Sequence, residues 1–122
     1  VTITGAGGAI TLDPFEVDHG DIPALGYRIG RLAYLPDVLA IPEPVWDSHL
    51  SGLDCWIVDA LRRTPHPTHA HLALTLEWLA RAKPGRGVLT NMHIDMDHAT
   101  VEAETPAHIS AAFDGMVLEY AD

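Results

Sequence analysis

Near the start of the chain, apolar and polar positions alternate. Ile3, Ile10, Leu12, Phe15 and Val17 are spaced by polar or small residues around the turn Gly5-Ala6-Gly7-Gly8, the period of half-buried strands joined by a hairpin. Asp13-Pro14 interrupts the pattern and predicts a break or an edge bulge. Leu25-Gly26-Tyr27-Arg28-Ile29 and Leu32-Ala33-Tyr34-Leu35 read as a second hairpin, turning at Gly30-Arg31 and closed by Asp37.

The pattern then lengthens. Between Ile41 and Gly52 the run PEPVWDSHLSG has prolines near its start and a glycine past its end, which predicts a helix of about two turns. Cys55-Trp56-Ile57-Val58-Asp59-Ala60 is almost continuously apolar and suits a central strand covered on both faces. Pro65 and Pro67 hold Arg62 to His69 in a loop, with Thr68 as the expected N-cap. A helix is predicted from His69 to about Lys83, with Leu72, Leu76 and Leu79 on one stripe and Pro84-Gly85 as its stop. Gly87-Val88-Leu89-Thr90 is the next strand. Asp97 is expected to cap a short helix through Glu104, and Ala111–Phe113 and Met116–Tyr120 to form a closing hairpin around Asp114-Gly115. No repeat, low-complexity tract or linker divides the chain.

Composition narrows the classes. At 122 residues and 48% hydrophobic the chain suits one soluble globular domain with a real core. Seventeen acids against seven bases give a net charge of -10, which repels a nucleic-acid backbone or an anionic membrane as main partner. The single cysteine, Cys55, sits in an apolar run and reads as a buried thiol. No stretch approaches the length of a membrane span, and no basic start leads into an apolar core, so the cytoplasm is the expected location. The chain opens at Val1-Thr2-Ile3-Thr4 without an initiator methionine, which suggests a fragment or a processed piece.

The chemistry gathers at strand ends. The strand at Val88-Leu89 runs into Asn91-Met92-His93-Ile94-Asp95-Met96-Asp97-His98, an earlier one finishes at Asp18-His19, and another at Pro36-Asp37. His19, Asp37 and His93 are what a metal site assembled at one rim of a sheet needs. The Cys55 strand ends in a carboxylate as well, Asp59. Eight histidines is a high count, and His66, His69 and His71 share one loop-to-helix junction while His93 and His98 share another. Neutral imidazole with carboxylate suits zinc, manganese or iron, although no HExxH or CxxC pair is present. His69 also fits the first turn of a helix. His66, His49, His98 and His108 read as surface or loop histidines, and the leucine stripe, Trp56 and Trp78 as core.

The succession FEVDHGD, GYRIGRLAYLPDV, LDCWIVDALRRTPHPTHAHL and VLTNMHIDMDHA, followed by AFDGMVLEY, spans nearly the whole chain. It resembles the C-terminal half of a metallo-beta-lactamase-fold hydrolase, on the branch containing the phosphoribosyl 1,2-cyclic phosphate phosphodiesterase. The resemblance implies an α/β (α+β) fold, part of a four-layer αββα sandwich, with a mixed sheet and helices on one face. It implies a single half-domain over 1–122 whose N-terminal HxHxDH half is absent. It also implies two divalent metals, zinc or manganese, in a full-length protein, with little or no metal held by this chain alone.

Residue by residue, His19 resembles the family's later histidine ligand, Asp37 the carboxylate bridging the metals and His93 the final histidine. His69 resembles the histidine that assists the leaving group or binds phosphate. The implied activity is hydrolysis of a small phosphodiester or cyclic phosphate by hydroxide activated between two metals. A second expectation belongs to another class: a non-catalytic association module that pairs with itself or with the missing half through apolar surface. A third is a plain metal-binding domain built on the histidine-rich junctions.

Overall fold

The computed structural model describes residues 1–120. The strands are β1 (Thr2–Gly5), β2 (Gly8–Thr11), β3 (Asp13–His19), β4 (Ile22–Ile29), β5 (Leu32–Leu35), β6 (Cys55–Asp59), β7 (Arg86–Thr90) and β8 (Ile109–Ala111). The helices are α1 (Glu43–Ser48), α2 (Leu72–Ala82) and α3 (His98–Glu104). β1 and β2 form a separate two-stranded ribbon, and the other strands form a six-stranded sheet in the order β3-β4-β5-β6-β7-β8.

Register explains where the core lies. β3, β4 and β5 pair antiparallel, whereas β5 through β8 pair parallel, each joined to the next by a helix. Pairing aligns Ala33 with Trp56, Gly87 and Ile109, and Leu35 with Val58, Leu89 and Ala111. Side chains alternate across a strand, so these residues share one face. All but Gly87 belong to a single buried cluster with Trp46 of α1, Leu72, Trp78 and Leu79 of α2, and Val101 of α3. Helices therefore cover that face. Gly87 is where α2 comes closest, since a Cβ there would stand 2.9 Å from Leu79 Cδ2.

The opposite face is more open. Tyr27 pairs with Tyr34 and Tyr34 with Ile57, and Leu25 and Tyr34 remain 50% and 42% exposed. Cys55 on this face is a buried free thiol, as its apolar setting predicts, and burial pushes that thiol up.

Three expectations need correction. The first hairpin forms, but every residue of β1 and β2 is exposed. Ile3 and Ile10, paired across it, are surface residues because the ribbon lies outside the main sheet. α2 starts at Leu72 with His71 as its N-cap, not at His69 behind Thr68; the Thr68 C=O and N–H are bonded to the His19 and His66 rings, and the His69 ring to Asp59, instead. The closing hairpin is not formed: Ile109–Ala111 pairs parallel with β7, and Asp114-Gly115 makes only a turn in which the Met116 N–H donates to Phe113 O at 3.0 Å. Asp97 does cap α3, accepting from the Thr100 N–H at 3.0 Å.

Candidate metal centre

β3 is antiparallel to β4, which is antiparallel to β5, and β5 through β8 are parallel. All strands of the main sheet except β4 therefore point the same way, and their C-terminal ends share one rim. His19 ends β3, Asp37 follows β5, Asp59 ends β6, and Asn91 follows β7. Ligand sites in open parallel sheets form at this rim because the loops leaving the strands converge there.

His19, Asp37 and His69 each offer a ligand atom, and these atoms lie within 4.8 Å of one another. Together they form a group able to hold a metal ion. His69 reaches it from the loop between β6 and α2. That loop is closed by Leu61 N–H on Ala70 O at 3.0 Å and Leu72 N–H on Arg62 O at 2.9 Å. It is braced inside by Arg62, whose guanidinium donates to Thr64 O at 3.1 Å and Pro65 O at 2.6 Å.

Hydrogen bonds fix the imidazoles. His19 Nδ1 lies 2.6 Å from Thr68 O, and a carbonyl only accepts, so Nδ1 carries the proton and Nε2 the lone pair. The approach depends on Gly20, whose φ is +74° and whose missing Cβ would stand 2.5 Å from Thr68 Cγ2. His69 Nδ1 lies 2.8 Å from Asp59 Oδ2, which again leaves the lone pair on Nε2. Both rings thus keep Nε2 free, to meet a cation or to move a proton. Their edge-to-face contact has centroids 4.6 Å apart.

Asp59 is fully buried. Oδ2 also accepts from the Val38 N–H at 3.2 Å, and Oδ1 from Asn91 Nδ2 at 3.3 Å. Burial raises its carboxyl above the ordinary aspartate range, and the bonds from His69, Val38 and Asn91 pull the other way. Thr75, buried in α2, donates its hydroxyl to Asp59 O and ties the strand end to the helix.

His93 is not brought into this group. After β7 the chain turns at Asn91, whose φ is +61°, and the His93 N–H donates to Leu61 O at 2.7 Å. The backbone is anchored, but the side chain stays 60% exposed beside Asp95, at 3.4 Å.

Asp59, Asn91 and His66 are the neighbours that sequence reasoning leaves out. Asp59's signal is a lone acid ending a strand that is otherwise apolar on both faces. His66, read from sequence as a surface histidine, packs edge-on against His69 with centroids 5.2 Å apart. Burial, then the charge of Arg62 and the neighbouring His69, hold its imidazole below the usual histidine range. Beside Asn91 a cavity of about 370 Å³ opens between Met92, Thr90, Ala112, Phe113 and Asp114.

The mixed sheet carries at its rim a group able to hold a metal ion, and residues 1–94 match the beta-lactamase superfamily domain. The chain belongs to that superfamily. Within it, the chain is similar to a solved structure described as a new diphosphatase from the PhnP family. The two are 35% identical with a TM-score of 0.89, over 98% of this chain and 46% of that one. The chain is also 28% identical over 112 residues to an octanoyltransferase of Porphyromonas gingivalis (strain ATCC BAA-308 / W83), a match covering 88% of this chain and 22% of that protein. It thus spans less than half the length of either. Among the described residues no helix is long and apolar enough to cross a membrane.

Proposed function

We propose that the chain carries part of the catalytic centre of a metal-dependent phosphoesterase acting on a small phosphodiester, cyclic phosphate or diphosphate. The convergence of His19, Asp37 and His69 is the observation that supports this reading. The donors fit a divalent cation such as zinc or manganese: the His19 imidazole with its lone pair on Nε2 and the half-exposed Asp37 carboxylate. In this reading His19 and Asp37 would hold the cations, Asp37 as the carboxylate of the set. His93 is this chain's remaining candidate donor. Further ligands come from the part of its relatives' length that the chain does not span, so the chain by itself holds metal weakly.

Bound there, the cations supply Lewis acidity toward a phosphoryl group and a means of activating water at neutral pH. His69 handles the proton. Its Nδ1–H is held on Asp59, and that carboxylate stabilises the imidazolium, so Nε2 can take up a proton and deliver it to the leaving oxygen. The cavity beside Asn91 is of a size for the organic part of a small substrate, and Asn91 in its wall is linked to His69 through hydrogen bonds to Asp59.

Metal analysis tests this directly. The protein at its full length is expected to bind two divalent ions per subunit and to lose them in Asp37→Ala, with turnover of cyclic, diester or diphosphate substrates lost in parallel. Unchanged metal content in that variant would defeat the reading. A second reading has its own support: the open sheet face with Leu25 and Tyr34, and the exposed Ile3 and Ile10 of the ribbon, suit a module that associates without catalysis. Metal-independent dimerisation with no phosphoesterase activity would favour it.

A further inference from the structure

Three histidines meet at the mouth of the site, and they are wired in two different ways. His19 and His69 both donate from Nδ1, to Thr68 O and to Asp59 Oδ2. His66 does the opposite. Its Nδ1 lies 3.1 Å from the Thr68 N, and a backbone N–H only donates, so Nδ1 holds the lone pair and the ring's one proton must sit on Nε2. The Thr68 hydroxyl, 3.4 Å from the same nitrogen, can donate to it as well. His66 Nε2–H has no hydrogen-bond partner among the described residues.

The position of the ring is fixed in advance. His66 lies between Pro65 and Pro67, which restrict the backbone on both sides. Arg62 holds the carbonyls of Thr64 and Pro65, immediately before it, and Thr68, immediately after Pro67, is held by His19. One residue, Thr68, thus sets two tautomers: its carbonyl makes His19 a lone-pair donor, and its N–H makes His66 a proton donor. With its Nδ1 lone pair engaged by the Thr68 N–H, His66 turns a donor and not a ligand outward, and an Nε2–H so placed suits an anionic oxygen and is preorganised to meet one.

We propose that His66 is a substrate-contacting residue whose Nε2–H donates to a non-bridging phosphoryl oxygen of the substrate held at the His19, Asp37 and His69 site. The proposal rests on the phosphoesterase reading above and adds to it a residue that orients the phosphoryl group.

Nitrogen NMR of the full chain reads the wiring without turnover. The His66 ring is expected as the Nε2–H tautomer, and its Nε2–H resonance is expected to shift when inorganic phosphate is titrated into the metal-loaded protein. In kinetics, His66→Ala is expected to raise KM about tenfold or more, the scale of one hydrogen bond to a charged group, with a smaller change in kcat and unchanged metal content. His66→Gln, which keeps an acceptor for the Thr68 N–H and a donor for the substrate, is expected to recover much of the loss. A ring protonated at Nδ1, an unmoved Nε2–H at saturating phosphate, or an unchanged KM in His66→Ala would each overturn the proposal. A wild-type protein that neither takes up metal nor turns over substrate defeats the underlying reading instead; one that does both, with His66→Ala indistinguishable from it, defeats this proposal alone.

Discussion

Two loops of this chain are rich in histidine, and they differ in what their side chains are tied to. In the loop between β6 and α2, His69 is bonded to a fully buried carboxylate and His66 to a backbone N–H, and Thr68 holds His19 from the neighbouring strand end. In the segment after β7, the His93 backbone is pinned to Leu61 O, while its ring is mostly exposed beside Asp95. His98 contacts Ala111 O at 3.1 Å and the Phe113 ring, away from the rim group. Histidine density is similar in both, so density does not make a site. Ring hydrogen bonds that hold the imidazoles together with Asp37 at one rim do.

The strongest way to break this comparison is Asp37→Ala. The proposed bridging position makes it the costliest change, and its loss of metal and activity should exceed the 10–100-fold typical of outer-shell substitutions. Metal analysis and turnover on the full-length protein check it. Should Asp37→Ala prove no worse than a change at His93, the rim group that the ordered loop joins has no privilege over the segment after β7.

Asp59→Asn tests the buried partner itself. It is expected to lower turnover about 100-fold or more, because His69 loses the carboxylate that stabilises its imidazolium, without weakening the metal-free fold at neutral pH, because a buried charged carboxylate is costly to keep. The sign with pH follows from its raised pKa. The folded state holds the Asp59 proton more tightly than the unfolded state does. Stability from this group is therefore complete below the ordinary aspartate value and is lost as pH rises through the raised one. Thermal melts of the metal-free protein across that window should show wild type losing stability relative to Asp59→Asn. A wild type that gains instead would mean that the hydrogen bonds outweigh burial.

Gly20→Ala probes the contact that wires His19. A side chain there must accept a positive φ and displace Thr68 Cγ2, at a cost of about 1–3 kcal/mol, which a lowered melting temperature would record along with weaker metal uptake. His93→Ala is expected to have the smallest effect, within about 0.5 kcal/mol on stability and less than Asp37→Ala on metal affinity. A larger loss of affinity would show that the loop after β7 closes on the cation despite its exposure.

Much of the fold was legible because periodicity is local. The Cys55–Asp59 run is a central strand, Pro84-Gly85 follows the end of α2, and Asp97 caps α3. Thr68 misled as an N-cap because the same backbone N–H and C=O groups had better partners in His66 and His19, which lie outside the helix. Ile3 and Ile10 misled because alternation marks a strand but not what covers it.

By itself the sequence determined the strand ends and the residue types placed on them, together with the resemblance to a superfamily. Each of those is a property of neighbouring residues or of their order. Only the tertiary structure decided which ends share a rim, that His69 joins His19 and Asp37 while His93 stays outside, and which nitrogen of each ring keeps its proton. Those outcomes depend on strand direction and on hydrogen bonds between residues as far apart as His19 and Thr68. Such pairings exist only once the sheet has brought distant segments together.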